Sequence, residues 1–109
     1  MTMERCIHVM VTTLPTLADA ETIAKAMVGE SLVACAQIGD GIHSFYREEG
    51  KIKDVAEVRL TLKVRADRLE ACIGRLQAMH PYETPQILTW PVDWVDPGYL
   101  AWAYGEGSA

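Results

Sequence analysis

The first regular pattern along the chain is an alternation of apolar and polar residues with a period of two. Its apolar positions are Ile7, Val9 and Val11. This period is typical of a β-strand with at least one buried face, and we expect the segment Leu14-Pro15-Thr16 to end the strand.

The spacing of apolar residues then changes to that of a helix. Thr16 is followed three residues later by Asp19, which resembles a capping box with a shorter acid. The apolar positions that follow at helical spacing are Ala20, Ile23, Ala24 and Met27. We expect this first helix to end at Gly29.

The middle of the chain predicts two long strands joined by a hairpin. Residues 32–38 and 42–46 are strand-like and are separated by Gly39-Asp40-Gly41, which indicates one strand with a bulge or bend. Residues 47–51 are polar, contain Gly50 and are typical of a hairpin turn. The returning strand has the clearest alternation in the chain, with Val58, Leu60, Leu62 and Val64 on one face.

The last third of the chain predicts a helix, a strand and a short terminal helix. Residues 66–79 carry one apolar helical stripe, and this helix must stop before Pro81. Residues 86–92 favour a strand in which Pro91 is confined to an edge or a bulge. Asp96-Pro97 is typical of a helix start, and we expect that helix to continue through Tyr104.

The predicted order is β-α-β-β-α-β followed by a helix. This is the split βαβ arrangement of a ferredoxin-like α+β domain with an antiparallel sheet, and we expect one such domain over residues 1–109. Right-handed crossovers would place both helices on one face of the sheet. The opposite face would remain uncovered, so we expect the protein to self-associate.

Composition and charge exclude several classes of partner. The 109 residues carry a net charge of −5, and Lys and Arg are interleaved with Asp and Glu, so we expect no nucleic-acid partner. The apolar runs are too short to span a bilayer and residues 1–5 do not introduce a signal peptide, which favours a cytoplasmic protein without a membrane partner.

The three cysteines, Cys6, Cys35 and Cys72, are widely spaced and indicate neither a disulfide framework nor a zinc motif. Cys35, among apolar neighbours, is typical of a buried thiol. Cys6 and His8 are expected on the same side of the strand. Two ligands are too few for a stable metal site, and the alternative is that the pair captures copper or zinc adventitiously.

The candidate chemistry is concentrated in His80-Pro81-Tyr82-Glu83-Thr84-Pro85. An imidazole, a phenol and a carboxylate stand between two prolines that restrict the backbone. We consider His80 a candidate metal ligand and Tyr82 and Glu83 candidate ligand-binding residues. The alternative is a rigid connection in which Tyr82 packs and His80 caps the preceding helix. Lys63 is a further ligand-binding candidate, for an acidic ligand or for Glu83 of a neighbouring chain, unless it is only a solvated or ion-paired lysine.

Together these segments resemble the CutA divalent-cation tolerance family from about Ile7 to Trp102. The matching segments are Leu32-Val33-Ala34-Cys35, Ser44-Phe45-Tyr46, Gly50-Lys51, Leu62-Lys63, the six residues from His80 to Pro85, and Tyr99-Leu100-Ala101-Trp102. The resemblance implies an interlocked homotrimer of ferredoxin-like protomers, related in architecture to the PII signalling proteins and associated with tolerance to copper and other divalent metals.

The chain departs from this family at several positions. Glu48 stands where an aromatic residue is usual, and Gln37 stands where an asparagine or a similar small polar residue is frequent. Some members carry a cysteine at the position of Thr12 and a second histidine at that of Met79. Of that metal-binding constellation, His80 is the residue present in this chain.

The sequence favours binding over catalysis. It contains no nucleophile elbow, and Gly39-Asp40-Gly41 lacks the lysine and the following helix of a phosphate-binding loop. We therefore expect that the protein is not an enzyme. We expect no obligatory cofactor, with copper or another divalent metal ion as the candidate ligand. The alternative is a PII-like sensor that binds a small anionic effector in clefts between subunits.

Overall fold

The computed structural model describes residues 5–105 as a four-stranded antiparallel sheet with three α-helices. The elements are β1 (Ile7–Leu14), α1 (Leu17–Gly29), β2 (Cys35–Glu48), β3 (Lys51–Arg65), α2 (Leu69–Met79), β4 (Ile87–Pro91) and α3 (Pro97–Ala103), with a 3₁₀ turn at Ala66–Arg68 before α2. The strand order is β2-β3-β1-β4. This confirms the predicted ferredoxin-like α+β fold with an added C-terminal helix.

Both long helices pack on the same face of the sheet. Residues of β1, β3, α1 and α2 form one buried cluster, in which Met10, Leu14, Leu60, Leu62 and Leu76 have no exposed surface. The strict alternation of β3 explains this arrangement, because every second side chain of a strand points to the same face. The remaining positions of each strand form the opposite face, which neither α1 nor α2 covers and which we call the open face.

Local sequence signals fix the helix ends. Thr16 Oγ1 accepts a hydrogen bond from the backbone N–H of Asp19 at 3.1 Å. Asp96 caps α3 by accepting from the N–H groups of Gly98 and Tyr99, at 3.0 and 3.3 Å. Helix α2 ends at Met79, because Pro81 disfavours the helical conformation of His80.

Strand β2 begins at Cys35, three residues later than the apolar pattern indicates. Leu32 and Val33 both direct their N–H groups at the carbonyl of Met27, so they complete the end of α1 and do not join the sheet. The positive φ of 59° at Ser31 turns the chain into this position. The predicted bulge is confirmed by a shift in the β2–β3 register between Gly39 and Ile42.

The hairpin tip is a two-residue turn at Glu49 and Gly50, with φ angles of 52° and 76°. Two positive φ values are the pattern of a type I′ turn, which matches the natural twist of paired strands. Pairing continues to Lys51, well beyond the alternating part of β3. The alternation stops there because residues 51–54 are exposed and have no buried face to fill.

We expect Gly50→Val to destabilise the protein by about 1 kcal/mol or more, because valine tolerates positive φ poorly. A Cβ at this position would meet no atom within 4 Å, so the cost is backbone strain and not a clash. Chemical unfolding and light scattering measure the effect on stability and on assembly. Gly74→Val in α2, also without a neighbour within 4 Å but without a positive φ, is the control. If both variants melt and assemble like the parent, the tip does not depend on Gly50.

Candidate functional site

The site begins where α2 ends, at a histidine that folds back onto β1. His80 is 8% exposed, and its Nε2 lies 2.9 Å from Thr12 Oγ1 and 3.0 Å from the carbonyl oxygen of Thr13. Its other nitrogen, Nδ1, accepts a hydrogen bond from the N–H of Tyr82 at 3.1 Å. His80 therefore ties the loop after α2 to the end of β1.

These partners define the tautomer of His80. A backbone N–H can only donate, so Nδ1 carries the lone pair and the proton is on Nε2. Thr12 Oγ1 donates its own proton to the carbonyl of Gln86 at 2.7 Å, which leaves that oxygen free to accept from Nε2. Burial lowers the pKa of His80, while the contact with Thr13 and the negative charges of Asp19 and Glu57 act in the opposite direction. The imidazole is thus held in its neutral form.

The hydrogen bonds of His80 bear on its candidacy as a metal ligand. Both ring nitrogens are occupied, so a metal at Nδ1 would have to displace the Tyr82 N–H. Within residues 5–105, no group of three or more His, Cys, Asp or Glu side chains is placed to hold a metal ion. Met79 packs against the core cluster. Metal binding by His80 stays a prediction, and it carries the cost of one hydrogen bond.

Tyr82 connects the loop to β3 through a residue that the sequence did not single out. Its hydroxyl donates to Glu57 Oε2 at 2.7 Å, and its ring centroid lies 5.2 Å from that of His80. Burial, followed by the hydrogen bond to Glu57, raises the pKa of Tyr82 to about 12. Glu57 occupies an open-face position in the alternation of β3. In the sequence, this position was the feature that could have indicated Glu57 as a site residue.

Tyr82 and Glu83 border one cleft between the loop and the β2–β3 hairpin. We call it the acidic cleft; its volume is about 690 Å³. The residues that line it are Thr13, Ser44, Phe45, Tyr46, Glu48, Glu57, Tyr82, Glu83, Thr84 and Gln86. Three of these are carboxylates. Glu48 is one of them and adds to the negative charge of the cleft.

Lys63 lies at the other end of the open face. Glu57 lies six positions before Lys63 on β3, which corresponds to about 20 Å along a strand. Lys63 borders a second cleft of about 440 Å³, and its ammonium group donates to Gln37 Oε1. Lys63 and Glu83 therefore do not meet within one chain, and contact with Glu83 of a neighbouring chain stays a prediction.

The three cysteines have different surroundings, and all are free thiols. Cys72 is fully buried, which raises the pKa of its thiol to about 11, and its sulfur lies 4.0 Å from Met10 Sδ. Cys35 is half-buried on β2, directly opposite Lys63 on β3. The backbone of Cys6 is bridged by the hydroxyl of Tyr104, at 3.2 Å from its nitrogen and 2.9 Å from its oxygen.

Comparison with known proteins gives a consistent result. Residues 8–106 match the family model of the CutA1 divalent ion tolerance protein. A divalent-cation tolerance protein CutA from Salmonella newport is 38% identical over 94 residues, which cover 86% of this chain and 82% of that protein.

Two solved structures are similar to this chain along nearly its whole length. The divalent ion tolerance protein CutA1 from Ehrlichia chaffeensis has a TM-score of 0.91 at 30% identity and covers 98% of this chain and 100% of its own. The periplasmic divalent cation tolerance protein CutA from Archaeoglobus fulgidus has a TM-score of 0.86 at 31% identity, with coverages of 94% and 99%. Among residues 5–105, no helix has the length and apolar character needed to cross a membrane.

Proposed function

This chain belongs to the CutA1 divalent ion tolerance family, and on that premise we propose that it contributes to tolerance of divalent cations, copper among them, by binding and not by catalysis. The observation that carries this proposal is the family match across residues 8–106. We further propose that the protein acts in the cytoplasm and needs no obligatory cofactor.

We propose that the working form is a homotrimer. The open face supports this, since Leu88 and Trp90 on β4 are 52% and 46% exposed and lie beside Val11 and Val9 of β1 in the sheet register. These four side chains form a contiguous apolar patch on one protomer. An apolar patch of this kind is stabilised when another protein surface covers it.

The hairpin offers a second surface for assembly. Phe45 and Ile52 are 68% and 71% exposed and lie on opposite arms near its tip. The hairpin contributes to an elongated protomer that measures 48 × 28 × 23 Å. We propose that it packs on a neighbouring subunit, which would remove both side chains from water.

For direct metal contact, we propose His80 as a ligand, with the remaining ligands supplied in the assembled protein. Imidazole suits copper and zinc, and Nδ1 is the nitrogen with the lone pair. The metal would replace the Tyr82 N–H at this atom. Because that amide belongs to the loop bordering the acidic cleft, metal binding at His80 would also alter the cleft.

We expect Cu(II) to bind the wild-type protein saturably in titration calorimetry at pH 7.5, and His80→Ala to weaken binding about tenfold or more. Mutation of a residue that only hydrogen-bonds to a metal ligand already weakens metal affinity about 10–100-fold, so loss of a direct ligand should weaken it by at least the lower value. His80→Gln keeps a polar group without the imidazole lone pair and serves as a second variant. His43→Ala, an exposed histidine on the hairpin, is the matched control.

Equal copper affinity in wild type and both His80 variants would exclude His80 as a ligand and leave it the role of anchoring the loop. A loss in the His43 variant alone would move the metal site to the hairpin. Absence of saturable binding in every protein would contradict direct metal binding.

A second candidate function, a sensor for a small anionic effector, is favoured by Lys63. Lys63 borders a largely apolar cleft, and its ammonium group donates to the neutral side-chain amide of Gln37. A thermal-shift panel separates the two functions, since a ligand of the native state raises its stability in proportion to ln(1 + [L]/Kd). Stabilisation by Cu(II) or Zn(II) supports the first function, and stabilisation by organic anions supports the second.

A further inference from the structure

The backbone amide of Tyr82 covers the lone pair of the proposed metal ligand. Nε2 of the His80 ring is fixed by Thr12 Oγ1 and by the carbonyl oxygen of Thr13, at 2.9 and 3.0 Å. The ring therefore cannot turn away from the loop without losing these contacts. Its Nδ1 accepts from the N–H of Tyr82 at 3.1 Å, so this amide occupies the position that a metal ion would take.

The side chain of Tyr82 is attached to the sheet at its far end. Its hydroxyl donates to Glu57 Oε2 at 2.7 Å, and its ring centroid lies 5.2 Å from that of His80. Tyr82 is thus held at two points, through its amide to His80 and through its hydroxyl to β3. A displacement of this part of the loop away from His80 breaks both hydrogen bonds.

The hydroxyl contact is the stronger of these two attachments. A hydroxyl that donates to a carboxylate forms a charge-assisted hydrogen bond, which is roughly twice as strong as a bond between two neutral groups such as an amide and an imidazole. Tyr82 and Glu57 are both half-buried, so water competes less for the carboxylate than it does at an exposed site. The Tyr82–Glu57 bond therefore controls how often the amide leaves His80.

We propose that the Tyr82–Glu57 hydrogen bond is an autoinhibitory contact that regulates metal binding at His80. While this bond is formed, the Tyr82 amide masks Nδ1 of His80. When the hydroxyl leaves Glu57, the loop can move and the lone pair becomes accessible. The apparent metal affinity is then the intrinsic affinity multiplied by the fraction of protein in the open state. This inference rests on the proposed role of His80 as a ligand and adds the regulation of that site.

The proposal predicts that Tyr82→Phe tightens metal binding. The substitution removes the hydroxyl and keeps the ring beside His80, so the open fraction rises. Loss of a hydrogen bond to a charged group changes an equilibrium constant by about tenfold or more. We therefore expect Cu(II) to bind Tyr82→Phe about tenfold more tightly than wild type in titration calorimetry at pH 7.5. A tyrosine that only packs against the loop would give unchanged or weaker binding.

Amide hydrogen exchange at residue 82 measures the opening without any metal. In wild type we expect this amide to be less protected than that of Leu62 in the core of β3, because the loop opens without unfolding of the sheet. In Tyr82→Phe the protection factor of residue 82 should fall by the factor by which copper affinity rises, to within about twofold. Tyr46→Phe, which removes the other phenol of the acidic cleft, is the matched control and should equal wild type in both measurements.

Glu57→Gln provides a second variant, because it keeps an acceptor for the Tyr82 hydroxyl and removes the charge. Exchange at residue 82 should be faster in Glu57→Gln than in wild type. Addition of Tyr82→Phe to this variant should then change the protection factor by less than it does in wild type, since the two side chains form one contact. Independent effects of the two substitutions would contradict the proposed contact.

Three further results would overturn the inference: unchanged or weaker copper binding by Tyr82→Phe, equal protection of residue 82 and Leu62 in wild type, or the same gain in copper affinity in Tyr46→Phe. If His80→Ala weakens copper binding while Tyr82→Phe leaves it unchanged, His80 is a ligand and the regulation by Tyr82 is wrong. Absence of copper binding in every protein would overturn the inference together with the direct metal binding on which it rests.

Discussion

Leu88→Asp is expected to convert the proposed trimer into a monomer. Leu88 is 52% exposed on the edge strand β4 and belongs to the apolar patch on the open face. An aspartate there costs little in an isolated protomer, because its carboxylate stays in water. In a trimer the same carboxylate would be buried without a partner, at a cost of several kcal/mol for each subunit. Light scattering should change from about three times the 12.1 kDa chain mass to a single chain mass.

Leu17→Asp provides a matched control for this substitution. Leu17 is 43% exposed, but it lies at the start of α1, away from the open face, where a negative charge is favourable. We expect this variant to keep the wild-type mass. Equal masses for wild type and Leu88→Asp would show that the open face is not the interface. A wild-type protein that is monomeric at micromolar concentration would contradict the trimer itself.

His80→Ala is expected to have the largest effect on the stability of the folded chain. The substitution removes a buried ring and leaves the carbonyl of Thr13 and the N–H of Tyr82 without their partner. Loss of buried hydrogen-bond partners together with a small cavity costs about 2–4 kcal/mol. Urea unfolding at pH 7.5 measures the change. His43→Ala, whose ring contacts Asp54 at 3.4 Å on the surface, should cost under about 0.5 kcal/mol.

The contribution of His80 should depend on pH in a defined direction. Burial lowers the pKa of His80 in the folded protein, whereas the unfolded chain keeps the ordinary value of about 6.5. Between these two values the unfolded state binds the extra proton, so acid favours unfolding. The stabilisation is complete above pH 6.5 and decreases as pH falls towards the lowered pKa.

Unfolding measured at pH 7.5 and pH 5.5 checks this dependence. The stability difference between wild type and His80→Ala should be smaller at pH 5.5. His80→Gln, which retains a donor that can reach Thr13 and has no titrating group, should recover part of the stability and show a weaker dependence on pH. An equal stability difference between wild type and His80→Ala at the two pH values would contradict a neutral, hydrogen-bonded His80.

Much of the fold was predictable because its signals are local. The alternation of β3, the caps at Thr16 and Asp96, and the glycine at the hairpin tip each act within a few residues. The start of β2 was misplaced because Leu32 and Val33 have strand-like composition but bond to the carbonyl of Met27. The geometry of the preceding turn decides whether the N–H groups of such an apolar pair bond to the end of a helix or to a neighbouring strand.

The candidate site was predictable only in part. The sequence singled out the segment from His80 to Pro85, and the structure places Tyr82 and Glu83 on one cleft. It did not indicate Glu57, which receives the Tyr82 hydroxyl from a position 25 residues away, or Thr12, which lies 68 residues from His80. It also paired Lys63 with Glu83 of a neighbouring chain, and that contact stays a prediction.

The sequence by itself determined the order of the elements, the ferredoxin-like class, the buried face of β3 and the family, because these follow from periodicity, caps and motifs along the chain. Only the tertiary structure decided the tautomer of His80, the pairing of Tyr82 with Glu57 and the separation of the acidic cleft from the second cleft, which Lys63 borders. The physical reason is the sheet register. It brings together side chains that are distant in sequence, and it depends on how the whole core packs and not on the residues that flank each side chain.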